Sequence, residues 1–251
     1  MSENIIFRVR IADIVFEVRC LCASTRQRCS AYLTDEEPDH IIIIDRAQLE
    51  AERSLLLNLQ EPVGDPESFT LQALESLRLC RCLADKLPEC DRILFHGSCL
   101  ALDGRGVLFT AKSGTGKSTH TMIWREVFGH RVRMINDDKP FLRVTPQGVT
   151  AYGTPWQGKH NLGCNTAVPL HGICVLCRGE ENRIEPITPR EALPMLLQQT
   201  FTPEDPQAMV RTLALVQQLS KTVSLYRLYC NMDPQAAMVA RDGIFSQEET
   251  L

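Results

Sequence analysis

The sequence predicts an α/β protein: a mixed sheet with flanking helices, preceded by a small α+β region. Three observations carry this. Phe7, Val9 and Ile11 alternate with polar positions and Ile14, Phe16 and Val18 do the same, as two paired strands with one buried face would. From Ile93 onward strand-like and helix-like runs alternate, the pattern of a sheet covered by helices. Within that part Gly106-Val-Leu-Phe-Thr-Ala111 reads as a buried strand, a glycine-containing loop follows, and Lys117 to Phe128 reads as a helix stopped by Gly129.

In chain order, the first two strands join through Ala12-Asp13, and Ile41–Ile44 is a third. A linker-like Gln60-Glu-Pro-Val-Gly64 follows. Asp65 and Pro66 then start a helix with Leu71, Leu74 and Leu77 as its apolar stripe and Pro88 as its stop. After the central strand, loop and helix, Val132 to Asp138 is a short strand ending in two carboxylates, and Ile173–Cys177 is another strand. Thr188-Pro-Arg-Glu191 is a capping box, with Pro194 expected to bend or break the helix it opens. Asp205-Pro206 starts a helix with the stripe Met209, Leu213, Val216 and Leu219; Thr222 to Cys230 is a strand, and Asp233-Pro234 opens a short final helix. The expected division is an N-terminal α+β region over 1–90 and a second domain over 91–251.

Composition excludes several classes. With 251 residues, 44% hydrophobic and 23% charged, the chain can bury a sizeable core. A net charge of −4 argues against a sequence-independent grip on nucleic acid. No apolar run approaches the roughly 20 residues that span a bilayer, and Met1-Ser-Glu-Asn lacks a signal peptide's basic and apolar regions, so a cytoplasmic protein is expected. The eleven cysteines include the close pairs Cys20/Cys22, Cys80/Cys82 and Cys174/Cys177. Residues two apart on a helix diverge, and a strand through Cys174 and Cys177 points them to opposite faces, so free buried thiols are expected rather than a metal site.

The chemistry concentrates at Thr110-Ala-Lys-Ser-Gly-Thr-Gly-Lys-Ser-Thr119. In a phosphate-binding P-loop, converging backbone N–H groups hold the phosphates, a Lys reaches the β- and γ-phosphates and a Ser or Thr hydroxyl ligates Mg²⁺. Here Ser113, Gly114, Thr115, Gly116, Lys117, Ser118 and Thr119 supply those parts, so ATP and Mg²⁺ are the expected cofactors. The pattern departs once, with Ala111 where its first glycine stands. Glycine is required only where φ is positive or a Cβ would meet the ligand, so alanine at the strand exit costs little.

If the strand from Val132 joins the same sheet through the intervening helix, Asp137 and Asp138 reach the edge that carries the loop. One carboxylate can then hold Mg²⁺ while the other takes a proton from a hydroxyl nucleophile. Farther on, Gly153-Thr-Pro-Trp-Gln-Gly-Lys-His-Asn161 gathers Lys159 and His160, which could contact a phosphate or an acidic substrate. Trp156 either stacks on a base or packs in the core. Arg178, in the turn after Ile173–Cys177, is a further candidate for stabilising transition-state charge.

These residues carry a resemblance. His96-Gly-Ser, Gly106 through Ser118, Gly129-His130 and Asn136-Asp-Asp138 resemble the catalytic domain of HPr kinase/phosphorylase, itself related to the nucleotide-binding half of ATP-dependent phosphoenolpyruvate carboxykinase. The resemblance is closest over His96 to Arg143. It implies that kind of P-loop fold, with Lys117 on the phosphates, Ser118 and Asp138 at the metal, Asp137 as the catalytic base and His96 near the transferred phosphoryl group. Thr119 departs from the family, which usually has an acidic residue there. The resembling kinases assemble as oligomers, so a homo-oligomer is among the implied partners.

The expected function is an ATP- and Mg²⁺-dependent kinase that passes the γ-phosphoryl group to a hydroxyl, on a small molecule or on a serine of a peptide or protein. The alternatives are a nucleotide-dependent ATPase or switch and a non-catalytic nucleotide-binding module. A switch ATPase usually has a strongly apolar strand before its metal Asp, whereas here Arg131 and Arg133 alternate with Val132 and Met134. The carboxykinase reaction is disfavoured by the short chain and the lack of a recognisable oxaloacetate site.

Overall fold

Ala12 and Asp13 close the first hairpin with φ of 52° and 60°, the left-handed pair of a type I′ turn, whose twist matches that of the strands it joins. The strands are β1 (Ile5–Ile11) and β2 (Ile14–Cys20), antiparallel with Ile11 opposite Ile14. The computed structural model describes residues 5–58, 69–158 and 160–245. The chain divides into two units, Met1–Lys86 and Leu87–Leu251. The expected linker at 60–64 and the helix start at Asp65-Pro66 lie outside the described residues.

In the first unit Phe7, Val9, Ile11, Ile14, Phe16 and Val18 are all buried, so the alternation does mark one face. β2 leads through α1 (Ala23–Arg28) to β3 (His40–Ile43), which lies parallel to β2. α2 (Arg46–Leu57) opens with a capping box between Asp45 and Gln48, and α3 (Leu71–Lys86) follows. The stripe of α3 differs from the expected one: Leu71 is exposed, and the buried line is Leu74, Glu75, Leu79, Cys80 and Leu83. Glu75 faces inward because its carboxylate accepts the backbone N–H groups of Leu21 (2.7 Å) and Cys22 (3.0 Å) and the hydroxyl of Thr25. That carboxylate satisfies donors at the start of α1 which otherwise lack partners, and it sets the rotation of α3.

The second unit is a mixed sheet with helices on both faces. Its strands are β4 (Arg92–Leu94), β5 (Ser98–Leu102), β6 (Arg105–Thr110), β7 (Val132–Asn136), β8 (Phe141–Thr145), β9 (Gly148–Tyr152), β10 (Ala167–Arg178), β11 (Arg183–Pro186) and β12 (Ser224–Cys230). The expected strand–helix alternation fails over β4–β6 and β7–β10, where strand follows strand. Two-residue turns at Asp103-Gly104 and Pro146-Gln147 join β5 to β6 and β8 to β9. β5 is buried at every position, so it lacks the alternation that reveals a half-exposed strand.

β5 is antiparallel to both β6 and β7, so those two run the same way. β10 is parallel to β6 and to β12, while its first three residues pair antiparallel with β9. Alternate residues of β6 face opposite layers. Val107 and Phe109 pack with Trp124 and Phe128 of α4 (Lys117–Phe128) and Ala240 of α7 (Gln235–Phe245). Leu108 packs with Leu196 of α5 (Pro189–Gln199) and Leu219 of α6 (Pro206–Thr222).

Two helix expectations need correction. α5 starts on the Thr188/Glu191 capping box but runs unbroken through Pro194. Pro194 is exposed, and the carbonyl it cannot bond belongs to exposed Arg190, where water can serve it. In α6 Leu213 is exposed, and the buried line is Ala208, Thr212, Leu215, Val216 and Leu219. Thr212 can face the core because its hydroxyl donates to the Ala208 carbonyl at 2.8 Å. All eleven cysteines are free, Cys80 and Cys174 being buried. Among the described residues no helix is long and apolar enough to cross a membrane.

Candidate active site

Since β6, β7, β10 and β12 run the same way, one sheet edge collects the loop after β6, Asp137 and Asp138 after β7, Arg178 at the end of β10, and the start of β5. His96 lies just ahead of that start. Ala111 is fully buried among the core residues beside α4 and is not among the positive-φ positions, so no glycine is needed there. The left-handed positions are Gly114 (φ 75°) and Gly116 (φ 119°), and Gly116 caps α4. The conformation of Gly116 would strain any side chain.

Within the loop the backbone N–H and hydroxyl of Thr115 both donate to the Lys112 carbonyl, at 3.3 and 2.8 Å. Ser113 and Ser118 are exposed, and Thr119 is half-buried. Lys117 leans back over the loop, its Nζ donating to the Ala111 carbonyl at 3.3 Å. Burial pushes the Lys117 ammonium below the usual lysine range, and Asp138 opposes the shift. Arg178 reaches across from β10, its Nη2 donating to the Gly114 carbonyl at 2.7 Å.

The acidic pair is held by groups whose roles the sequence did not reveal. Asn136 is fully buried; its Nδ2 donates to Thr154 O (3.2 Å), Thr154 Oγ1 (3.1 Å) and Trp156 O (3.1 Å). Its Oδ1 accepts the N–H groups of Asp138 (2.9 Å) and Lys139 (2.6 Å). The Ser98 hydroxyl donates to the Asp137 carbonyl at 3.0 Å, and the Gly97 N–H to the Asp138 carbonyl at 3.0 Å. Gln199, at the end of α5, accepts the His96 N–H through its carbonyl at 2.7 Å. An Asn directly before two aspartates was the available signal; Thr154, Ser98 and Gln199 had none, because their roles depend on contacts distant in sequence.

The two aspartates differ in setting. Asp138 carries His96 Nε2 at 3.4 Å on one oxygen and Lys139 Nζ at 2.6 Å on the other. Asp137 is buried, and its Oδ1 accepts the Gly158 N–H at 2.7 Å. A Cβ on Gly158 would lie 2.9 Å from Asp137 Oδ2, so only glycine lets this backbone approach so closely. Burial holds the His96 imidazole below its ordinary value, Lys117 adds to the shift and Asp138 opposes it. One turn into α4, His120 Nε2 accepts the Trp124 indole N–H at 3.0 Å, and burial pushes this imidazole down to about 4.

Of the loop at 153–161, Lys159 lies outside the described residues. His160 is exposed, and among the described residues no hydrogen bond or ion pair ties it to this edge. Trp156 is buried with its ring stacked on Phe141 at 6.3 Å, so of its two readings the packing one holds and base stacking falls.

No family model matches the chain, and no curated protein matches it in sequence. Among solved structures it is similar to the HPr(Ser) kinase/phosphatase from Coxiella burnetii, with a TM-score of 0.36 and 12% identity over 62% of this chain and 98% of that one. What each residue can do rests on this chain's own geometry.

Proposed function

We propose that the second unit is an ATP- and Mg²⁺-dependent phosphotransferase that passes the γ-phosphoryl group to a hydroxyl, on a small molecule or on a serine of a peptide or protein. The observation that carries the proposal is the convergence of the glycine loop, Lys117, Asp137, Asp138 and His96 on one sheet edge. Phosphoryl transfer needs positioning and charge neutralisation more than covalent help from the protein, and this edge offers both.

The loop N–H groups and Lys117 bind the triphosphate. The Ser118 hydroxyl and the carboxylates are hard oxygen donors, a set that suits Mg²⁺ once phosphate oxygens and water complete its shell. Among the described residues no cluster of three or more His, Cys, Asp or Glu could hold a metal unaided, which fits an ion brought in with the nucleotide. When bound, Mg²⁺ would offset charge on the β- and γ-phosphates.

Asp138, which lies beside His96 on one oxygen and Lys139 on the other, is assigned to the metal side. Asp137, whose Oδ1 is oriented by the Gly158 N–H, is assigned as the proton acceptor for the attacking hydroxyl. His96, held neutral, can donate a hydrogen bond to the transferred group or accept one from the acceptor. The test is incubation with ATP, Mg²⁺ and hydroxyl acceptors, including free serine and serine peptides, followed by mass spectrometry. The expected result is an acceptor heavier by one phosphoryl group; an unmodified acceptor pool with ATP intact would refute the proposal.

A further inference from the structure

Asp138 and Lys139 are neighbours in sequence whose charged ends meet, with Lys139 Nζ 2.6 Å from Asp138 Oδ2. On an extended strand adjacent side chains point to opposite faces, so this contact is a product of the turn. Asn136 Oδ1 accepts the N–H groups of both residues, at 2.9 and 2.6 Å, and the Thr154 hydroxyl donates to the Lys139 carbonyl at 2.8 Å. Pro140 follows and restricts the Lys139 backbone further. The main chain of Lys139 is therefore held from both sides, and only its side chain is free to leave Asp138.

This ammonium has no part in phosphate binding or proton transfer as assigned above, yet it sits on the carboxylate given to the metal. Lys117 is turned instead to the Ala111 carbonyl at 3.3 Å. The side chains of Lys139 and Asp138 are only 35% and 25% exposed, so their charge-assisted contact is less weakened by water than a surface pair would be. A divalent ion entering without nucleotide meets that ammonium. Among the described residues no group of three or more His, Cys, Asp or Glu stands ready to outbid it. A triphosphate seated on the loop reverses the situation, since its negative charges attract ammonium and ion alike and leave Asp138 open to the ion.

We propose, resting on the phosphotransferase reading above, that Lys139 is a positioning residue that reserves the metal site for an ion accompanied by nucleotide: its ammonium covers Asp138 in the nucleotide-free chain and yields that carboxylate only when a triphosphate is bound. Divalent-ion binding is thereby made conditional on nucleotide. The free chain binds such ions weakly, and the side chain at position 139 sets how weakly.

Titration of the full chain with Mn²⁺ in the absence of nucleotide, read by electron paramagnetic resonance, tests this with a hard divalent probe for the same oxygen ligands. Lys139→Met and Lys139→Gln keep an unbranched side chain and remove its charge. Each should bind Mn²⁺ at least about tenfold more tightly than wild type, since a unit charge at contact distance is withdrawn from a divalent ion. Lys139→Arg keeps the charge and should stay within about threefold of wild type. In an Asp138→Asn background, Lys139→Met should change Mn²⁺ affinity by less than about twofold, because the carboxylate that the ammonium covers is gone. Calorimetry with Mg²⁺ and ATP, run on every variant, separates the remaining outcomes. Unchanged Mn²⁺ affinity in Lys139→Met and Lys139→Gln, or an equal gain in the Asp138→Asn background, with Mg²⁺ and ATP still bound, would overturn the role of Lys139 and leave the phosphotransferase reading standing. Failure of wild type and variants alike to bind ATP with Mg²⁺ would instead remove that reading, and this inference with it.

Discussion

The side-chain oxygen of Asn136 accepts the backbone N–H of Asp138 at 2.9 Å, while its amide nitrogen donates to the carbonyls of Thr154 and Trp156. One fully buried side chain thus ties the acidic turn to the loop that carries Gly158. Asn136→Ala strands several buried polar groups at once and should cost about 3 kcal/mol of stability, read as a lowered urea midpoint. Asn136→Asp keeps the acceptor but sets a buried carboxylate oxygen against the Thr154 and Trp156 carbonyls, so it should destabilise at least as much as alanine.

Asp137 and Asp138 should separate kinetically. Asp137→Asn should lower kcat for transfer by at least about a hundredfold while leaving ATP affinity nearly unchanged, as loss of a general base does. Asp138→Asn should instead raise the Mg²⁺ concentration needed for half-maximal activity. Steady-state kinetics across a Mg²⁺ series distinguishes the two, and the reverse pattern would exchange the assigned roles.

Gly158→Ala tests the close approach to Asp137. The added methyl group would lie 2.9 Å from Oδ2, so the carboxylate must move. Displacing a reacting group by a fraction of an ångström to an ångström can cost on the order of a hundredfold, so transfer should drop steeply with little change in melting temperature. Unaltered kcat would show that Asp137 is not positioned by this contact.

His120 gives stability a pH dependence of known sign. Buried, it stays neutral down to about 4, whereas in the unfolded chain it takes a proton near its ordinary 6.5. Between those values the unfolded state binds more protons, so this contribution is whole above roughly pH 6.5 and falls as the pH drops toward 4, by a total of about 3 kcal/mol. Urea unfolding at a series of pH values should show a steeper acid loss for wild type than for His120→Gln; parallel curves would contradict the burial argument.

How legible this was in the sequence depended on how local the cause was. The Ala12-Asp13 hairpin, the Thr188 capping box and the glycine loop could be read because each is set by neighbours a few residues apart. The stripes of α3 and α6 were misplaced because Glu75 and Thr212 look like surface residues. Each faces the core on hydrogen bonds, Glu75 with residues some fifty positions away. Strand β5 stayed hidden since its burial on both faces leaves no alternation to read. The acidic turn could be recognised; the Asn136, Ser98 and Gly158 contacts that hold it arise only once β5, β7 and the 153–161 loop are assembled.

The central claim is that this edge transfers a γ-phosphoryl group, and transfer of label from γ-labelled ATP to a hydroxyl acceptor tests it most directly, with Mg²⁺ present or chelated. The account predicts Mg²⁺-dependent labelling by the wild-type chain and loss of at least about a hundredfold in Lys117→Ala, where the charge facing the phosphates is gone. Equal labelling by wild type and Lys117→Ala, or by wild type with Mg²⁺ chelated, would contradict it.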